Sequence, residues 1–263
     1  MNIGIIGCGI VGGACRFGFE KLGHNVTVHD PKLGTDISII LDTEIVYICV
    51  PTPMNEDGSC RINIVESVVE NLNAIGYNGI VAIKSTVPPG TTKRLDRPSF
   101  KDMAFVPEFL RERCAISDFV EHQKLLAVGT HNQSTYNIIV ECHGHYPERC
   151  VKLTPTQAEI LKYYHNTFNA LRVVFANEFY EIAQFFNEDY TPIKNALLST
   201  SNIPDIYLDV NANMRGYSSI CWNKDIPALI SLCKNNNIKI PLINTIPVAN
   251  DNYKKTPFKG TRE

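Results

Sequence analysis

"NIGIIGCGIVGGACRFGF", Asn2 to Phe19, is the stretch that decides the fold. A short β-prone apolar run leads straight into Gly7, Gly9 and Gly12, spaced G-x-G-x-x-G, and the apolar positions beyond them step at helical intervals. Strand, glycine turn and helix in that order are the setting in which this spacing has a physical meaning. The first glycine permits the tight turn, the second lets backbone amides approach a pyrophosphate, and the third allows close helix packing. The helix N-terminus that follows attracts the anion.

Working outward, a second strand candidate, "NVTVHD", ends in Asp30, about twenty residues past the glycines. A carboxylate there accepts hydrogen bonds from ribose hydroxyls and repels a 2′-phosphate, which favours NAD over NADP. "EIVYICV", "GIVAIKS", "DMAFVPE" and "KLLAVG" continue the strands, alternating with stretches of helical spacing suited to crossovers. The expected fold is therefore α/β, an N-terminal Rossmann-type, doubly wound parallel sheet over residues 1–153. A helical domain follows over 154–250, with one long central helix from Thr156 to about Asn187, where apolar residues recur at three- and four-residue steps without Gly or Pro. A shorter helix is expected near Ile193 to Leu198 and a last one from about Ile226 to Asn236. "VANDNYKKTPFKGTRE" is expected to fray, with 251–263 as a polar tail.

The chain has 263 residues and a formal charge of -2, which gives no basic footprint for nucleic acid. Nine cysteines without a CxxC pair suggest neither a disulfide framework nor a metal centre, and point to reduced thiols in the cytoplasm. The apolar N-terminus is broken by glycines and lacks a basic lead, so no signal peptide or membrane span is expected.

Two further strand ends bring hydroxyls toward the same crevice. "CVPTP" offers Thr52 after Pro51, and "KSTVPPGTT" offers Thr86, although threonine before proline is also common loop chemistry. Lys162 and Asn166 stand four apart, so they share one face of the long helix; such a pair is either a solvated stripe or two donors converging on one oxygen. Glu108, after Pro107 at a strand end, is either a loop carboxylate or a base that activates water. In "GYSSICWNKD", Cys221 has polar neighbours and precedes the helix expected to begin around Asp225, a setting that lowers a thiol pKa, with Lys224 adding positive charge. Asp225 reads as the N-cap of that helix, with Pro227 in its first turn.

Taken together, these residues resemble the UDP-glucose/GDP-mannose dehydrogenase family. "CVPTPMNEDG", "KSTVPPGTT", "VPEFLRERCAISDF", "AEILKYYHNTFNALRVVFANE" and "GYSSICWNKDIPAL" look like that family's successive blocks, in its order. The resemblance implies oxidation of a nucleotide-sugar primary alcohol, UDP-glucose first among candidates, to the uronate with two NAD molecules, through an aldehyde and a cysteine thioester. It implies Cys221 as nucleophile, Glu108 as the carboxylate that handles protons through water, Lys162 and Asn166 around the reacting oxygen, Asp225 beside the cysteine, and Thr86 assisting proton transfer. Cofactor contacts are implied for Gly7, Gly9, Ile10, Val11, Gly12, Asp30, Pro51, Thr52, Thr86, Glu112 and Lys224. Substrate contacts are implied for Glu108, Phe109, Leu110, Lys162, Asn166, Gly216 and Tyr217. No metal is implied, and a homodimer through Thr156 to Asn187 is.

The chain departs from the family's pattern at Ser218 and Ser219, where two glycines are usual, and at Ile220, Asn223, Arg61 and Arg113. The 263 residues also end before the family's third domain, which grips the nucleotide diphosphate. Two other readings stand beside the first: a two-electron β-hydroxyacid-type dehydrogenase acting on a smaller substrate, and a non-catalytic relative that binds NAD or nucleotide sugar. Cys221 separates the first from the second, because a single two-electron oxidation needs no thiol.

Overall fold

The computed structural model describes residues 1–200 and 202–253. It divides into two compact units: Met1–Pro53 with Cys60–Lys162, and Met54–Ser59 with the chain from Tyr163 onward.

In the first unit, β1 (Asn2–Ile6), β2 (Asn25–His29), β3 (Ile45–Ile48), β4 (Ile80–Ile83), β5 (Asp102–Phe105), β6 (Leu126–Gly129) and β7 (Cys150–Leu153) form one sheet in the order β2-β1-β3-β4-β5-β6-β7. All neighbours pair parallel except β5 and β6, which meet antiparallel at Phe105 and Gly129. The strands alternate between two buried cores. Ile45 and Tyr47 of β3 face a cluster with Phe19, Phe119 and Ile139, while Val46 and Ile48 face one with Val65, Val69 and Leu72. Both faces are covered, by α1 (Ile10–Lys21), α4 (Ala115–Val120) and α5 (Gln133–His143) on one side and α2 (Asn63–Ala74) on the other. That is why these strands read as continuous apolar runs. Each fully buried isoleucine contributes roughly 1.5–3 kcal/mol by leaving water. The short α3 (Thr91–Leu95) follows β4.

Three elements depart from the sequence reading here. The strand β7 and the helix α4 were not anticipated, the first because "CVKL" is short and half-buried, the second because six residues hold too few turns to show a period. The antiparallel β5–β6 pair breaks the all-parallel expectation.

Helix α6 (Pro155–Phe185) begins in the first unit and continues into the second, which also holds α7 (Tyr190–Leu198), α8 (Ile220–Asn235) and α9 (Pro241–Asn250). Asp189 caps α7 by accepting from the Thr191 amide, so that helix starts three residues earlier than its apolar spacing suggests. One core joins Ala170, Val173 and Val174 of α6 to Tyr217, Trp222, Ile226 and Ile246. Trp222 and Ile226 are four apart and both buried, and this apolar face draws the start of α8 forward to Ile220. The sequence reading placed that start near Ile226, with Asp225 as N-cap and Pro227 in the first turn. Instead Ser219 is the N-cap residue, Asp225 lies inside the helix, and Pro227 is interior. The expected fraying from Val248 is likewise corrected, since 248–250 complete α9 and Asn250 is buried. The expected polar tail lies outside the described residues from 254 on.

Candidate active site

The three glycines of the turn meet different surroundings. Gly7 adopts φ +89°, closed to most side chains, and a Cβ there would lie 2.8 Å from the Cys49 carbonyl oxygen. A Cβ on Gly12 would stand 1.9 Å from the Gly7 carbonyl oxygen, whereas one on Gly9 meets nothing within 4 Å. Gly9 and Ile10 are exposed at the opening of α1. Asp30 accepts from the Cys8 amide at 2.7 Å and the Lys32 amide at 2.9 Å, and these bonds hold its carboxyl below the ordinary value. An ionised carboxylate at the end of β2, tied to the glycine turn, suits ribose hydroxyls. The chemistry of this loop, open backbone at Gly9 beside the Asp30 carboxylate, suits a dinucleotide.

The ends of β3 and β4 are joined by one side chain. The Ser85 hydroxyl reaches the carbonyls of Ile48 (3.2 Å) and Val50 (2.7 Å), which fixes the segments carrying Pro51, Thr52 and Thr86. Thr52 and Thr86 are buried, while Pro51 is exposed. The Cys60 thiol points at the Thr86 carbonyl oxygen, at 3.7 Å.

Glu108 follows β5 and meets Lys162 of α6. The lysine Nζ donates to the Glu108 carbonyl oxygen at 2.6 Å and to its Oε1 at 2.8 Å, while Oε2 accepts from the Leu110 amide at 2.7 Å. Burial pushes this carboxyl up, but the Lys162 charge and hydrogen bond, the Leu110 amide and the Lys84 charge outweigh it, and Glu108 lies below the ordinary carboxylate value. The Phe109 ring lies beneath the same ammonium, 5.7 Å from its centroid. Arg111 and Asp118 pin the rest of this loop to α4, while Glu112 is exposed on the turn that follows.

In the second unit, Cys221 is half-buried in the first turn of α8 and forms no disulfide. Asp225, one turn on and 1% exposed, accepts from Asn166 Nδ2 at 2.7 Å and from Lys224 Nζ at 2.5 Å. Lys224, implied by the resemblance as a cofactor contact, is engaged with Asp225. Gly216 and Tyr217 are buried upstream of the cysteine.

Three polar residues escaped the sequence reading. Glu159, fully buried and one turn before Lys162, accepts from the amides of Gly90 (2.5 Å) and Thr92 (2.8 Å) and from the Thr92 hydroxyl (2.6 Å). Burial raises its carboxyl above the ordinary value despite those bonds. Its i,i+3 spacing from Lys162 was the one available signal. Asn250 lay in the segment read as fraying. Lys84, 3% exposed, was hidden in a strand end; its ammonium approaches the Val106 carbonyl at 3.4 Å and the Tyr47 and Phe119 rings at 6.0 Å.

Residues 32–146 match the NAD binding domain of the UDP-glucose/GDP-mannose dehydrogenase family, and 156–252 match its central domain. A UDP-glucose 6-dehydrogenase of Haloferax volcanii is 28% identical over 315 aligned positions, covering all of this chain and 72% of that protein. A UDP-glucose dehydrogenase structure from Pyrobaculum islandicum superposes with TM-score 0.85 at 24% identity, over 95% of this chain and 68% of that one. A 3-hydroxyisobutyrate dehydrogenase structure from Mycobacterium tuberculosis gives TM-score 0.77 at 14% identity, over 95% and 92%. The last two likenesses are of fold. Among the described residues, no helix is long and apolar enough to cross a membrane.

Proposed function

Because the chain belongs to the UDP-glucose/GDP-mannose dehydrogenase family, we propose that it oxidises the primary alcohol of a nucleotide sugar, UDP-glucose first among candidates, to the carboxylate. The observation that carries this reading is the setting of Cys221: a half-buried thiol in the first turn of a helix, with Asp225 one turn later locked onto Asn166. A dehydrogenase that stops after two electrons has no use for such a thiol.

NAD, held by the glycine turn and Asp30, supplies the hydride acceptor for both oxidation stages. The remaining work belongs to the chain. Lys162 and Asn166 stabilise negative charge on the reacting oxygen as the alcohol gives up its proton, with Thr86 assisting that transfer. The Cys221 thiolate adds to the aldehyde carbon and forms a thiohemiacetal, which becomes a thioester at the second oxidation. Glu108, held ionised by Lys162, accepts a proton from the water that attacks the thioester carbonyl, and the thiolate leaves as the carboxylate product forms. Phe109, Leu110, Gly216 and Tyr217 contact the sugar nucleotide, and Pro51, Thr52, Glu112 and Lys224 the cofactor. The reading includes a cytoplasmic setting, where free thiols stay reduced. It also includes a homodimer that covers the apolar face of α6.

Stoichiometry tests it. With UDP-glucose the chain should yield two NADH per sugar, and intact-mass measurement should find a sugar adduct on Cys221. Cys221→Ser should stop at the aldehyde. One NADH per turnover with no adduct, or turnover of small hydroxyacids alone, would reject the reading in favour of the two-electron alternative.

A further inference from the structure

We propose that Asn250 is a positioning residue for Cys221, holding the strand of chain that leads into the nucleophile's helix. The inference rests on the reading of Cys221 as nucleophile and adds a residue that acts through it. Asn250 is the last residue of α9 and is 2% exposed. Its Oδ1 accepts from the Tyr217 amide at 2.8 Å, and its Nδ2 donates to the Tyr217 carbonyl at 3.0 Å. One planar carboxamide thus satisfies both backbone groups of one residue, as a neighbouring strand would, and burial shields both bonds from competing water.

The contact is built from both sides. A Cβ on Gly216 would stand 2.6 Å from Asn250 Oδ1 and 3.3 Å from the Tyr253 Cβ, so the approach of the carboxamide requires glycine at 216. From Tyr217 the constraint passes on in two ways. Along the backbone, Ser218 and the N-cap Ser219 lead directly to the first turn of α8. Through the side chain, the Tyr217 ring meets Trp222 edge-on at 5.7 Å, and Trp222 is buried next to Cys221. Tyr207 meets the same indole at 5.1 Å. The chain departs from the family's glycine pattern at Ser218 and Ser219, and the clamp fixes the residues immediately before them.

Trp222 is the chain's single tryptophan, so its fluorescence reports on this segment alone. In Asn250→Ala the Tyr217 backbone loses both partners. The emission should move to longer wavelength and kcat with UDP-glucose should fall by at least about tenfold, since small misplacements of reacting groups are costly. NAD affinity, which the proposed function assigns chiefly to the glycine turn and Asp30, should change much less than kcat. In Asn250→Asp an ionised carboxylate faces the Tyr217 carbonyl, whereas the protonated acid can donate to it. Activity and emission, each relative to the unmodified chain at the same pH, should therefore recover as pH falls from about 8 to about 6, a buried carboxyl titrating high. A merely structural loss would lower NAD binding and kcat together, whereas misplacement of the nucleophile lowers kcat with NAD binding largely kept. Gly216→Ala should shift emission in the native background and much less in Asn250→Ala, because the clash partner is gone.

Emission and kcat of Asn250→Ala matching the unmodified chain would overturn the proposal, as would equal effects of Gly216→Ala in both backgrounds. Should Asn250→Ala not fold, the recovery of Asn250→Asp at low pH decides the matter, and its absence would overturn the proposal. Absence of NADH production by the unmodified chain would reject the proposed function instead, and the emission cycle would still decide the clamp.

Discussion

Lys162 Nζ bonds both the carbonyl oxygen and the carboxylate of Glu108, at 2.6 and 2.8 Å, so one cation orders the backbone and side chain of its partner together. Lys162→Met leaves that carboxylate in place with its principal counter-charge gone. The expected cost is about 3–5 kcal/mol, the range for breaking a buried pair from one side. Urea unfolding should show it, and Lys162→Met combined with Glu108→Gln should cost well under the sum of the two.

Two glutamates of the first unit should shape its pH dependence in opposite senses. Glu108 titrates lower folded than unfolded, so its stabilisation is complete above the unfolded carboxyl value and is lost as pH falls through the folded one. Glu159 titrates higher folded than unfolded. Its contribution is complete below the unfolded value and is lost as pH rises through the folded one. Urea midpoints across the acid range should therefore change slope in opposite directions for Glu108→Gln and Glu159→Gln; slopes of the same sign would contradict the burial and bonding described.

The glycines of the turn should separate folding from cofactor binding. Gly12→Ala forces a methyl to 1.9 Å from the Gly7 oxygen and should lower both stability, by about 1–3 kcal/mol, and NAD affinity. Gly9→Ala has open space around its methyl and should lower NAD affinity with the melting temperature unchanged. Calorimetry of each variant with and without NAD distinguishes the two.

The aromatic face of α6 should govern association. Phe175 and Phe179 are about half exposed with rings 4.9 Å apart, and Tyr164, Ile182 and Phe185 extend the face. Charged residues there oppose apolar contact between copies. Light scattering should show a dimer for the unmodified chain and a monomer for Phe175→Glu/Phe179→Glu.

What could be read from the sequence follows from how local each cause is. The G-x-G-x-x-G turn, the alternation of strands with crossovers and the long helix are written in neighbouring residues, and the positive φ of Gly7 and the close approach at Gly12 are equally local. The start of α8 was misread because Asp225 and Pro227 look like a cap and first turn locally, while burial of Trp222 and Ile226 against α6 decides the outcome. Asn250 and Glu159 hold partners 33 and 67 to 69 residues away, a distance at which spacing carries no signal. The pairing of Lys162 with Glu108 is of the same kind, with 54 residues between them. There only the family resemblance had linked the two, through shared chemistry rather than through contact.

Lys84, buried at the end of the central strand β4 among Tyr47, Phe119 and the Val106 carbonyl, exerts its charge on several groups at once. It helps to lower Glu108 and, after burial itself, to keep His143 neutral. Proton uptake at any member of this set alters the field felt by the rest, so titration curves recorded there belong to the ensemble and single-site substitutions will not sum.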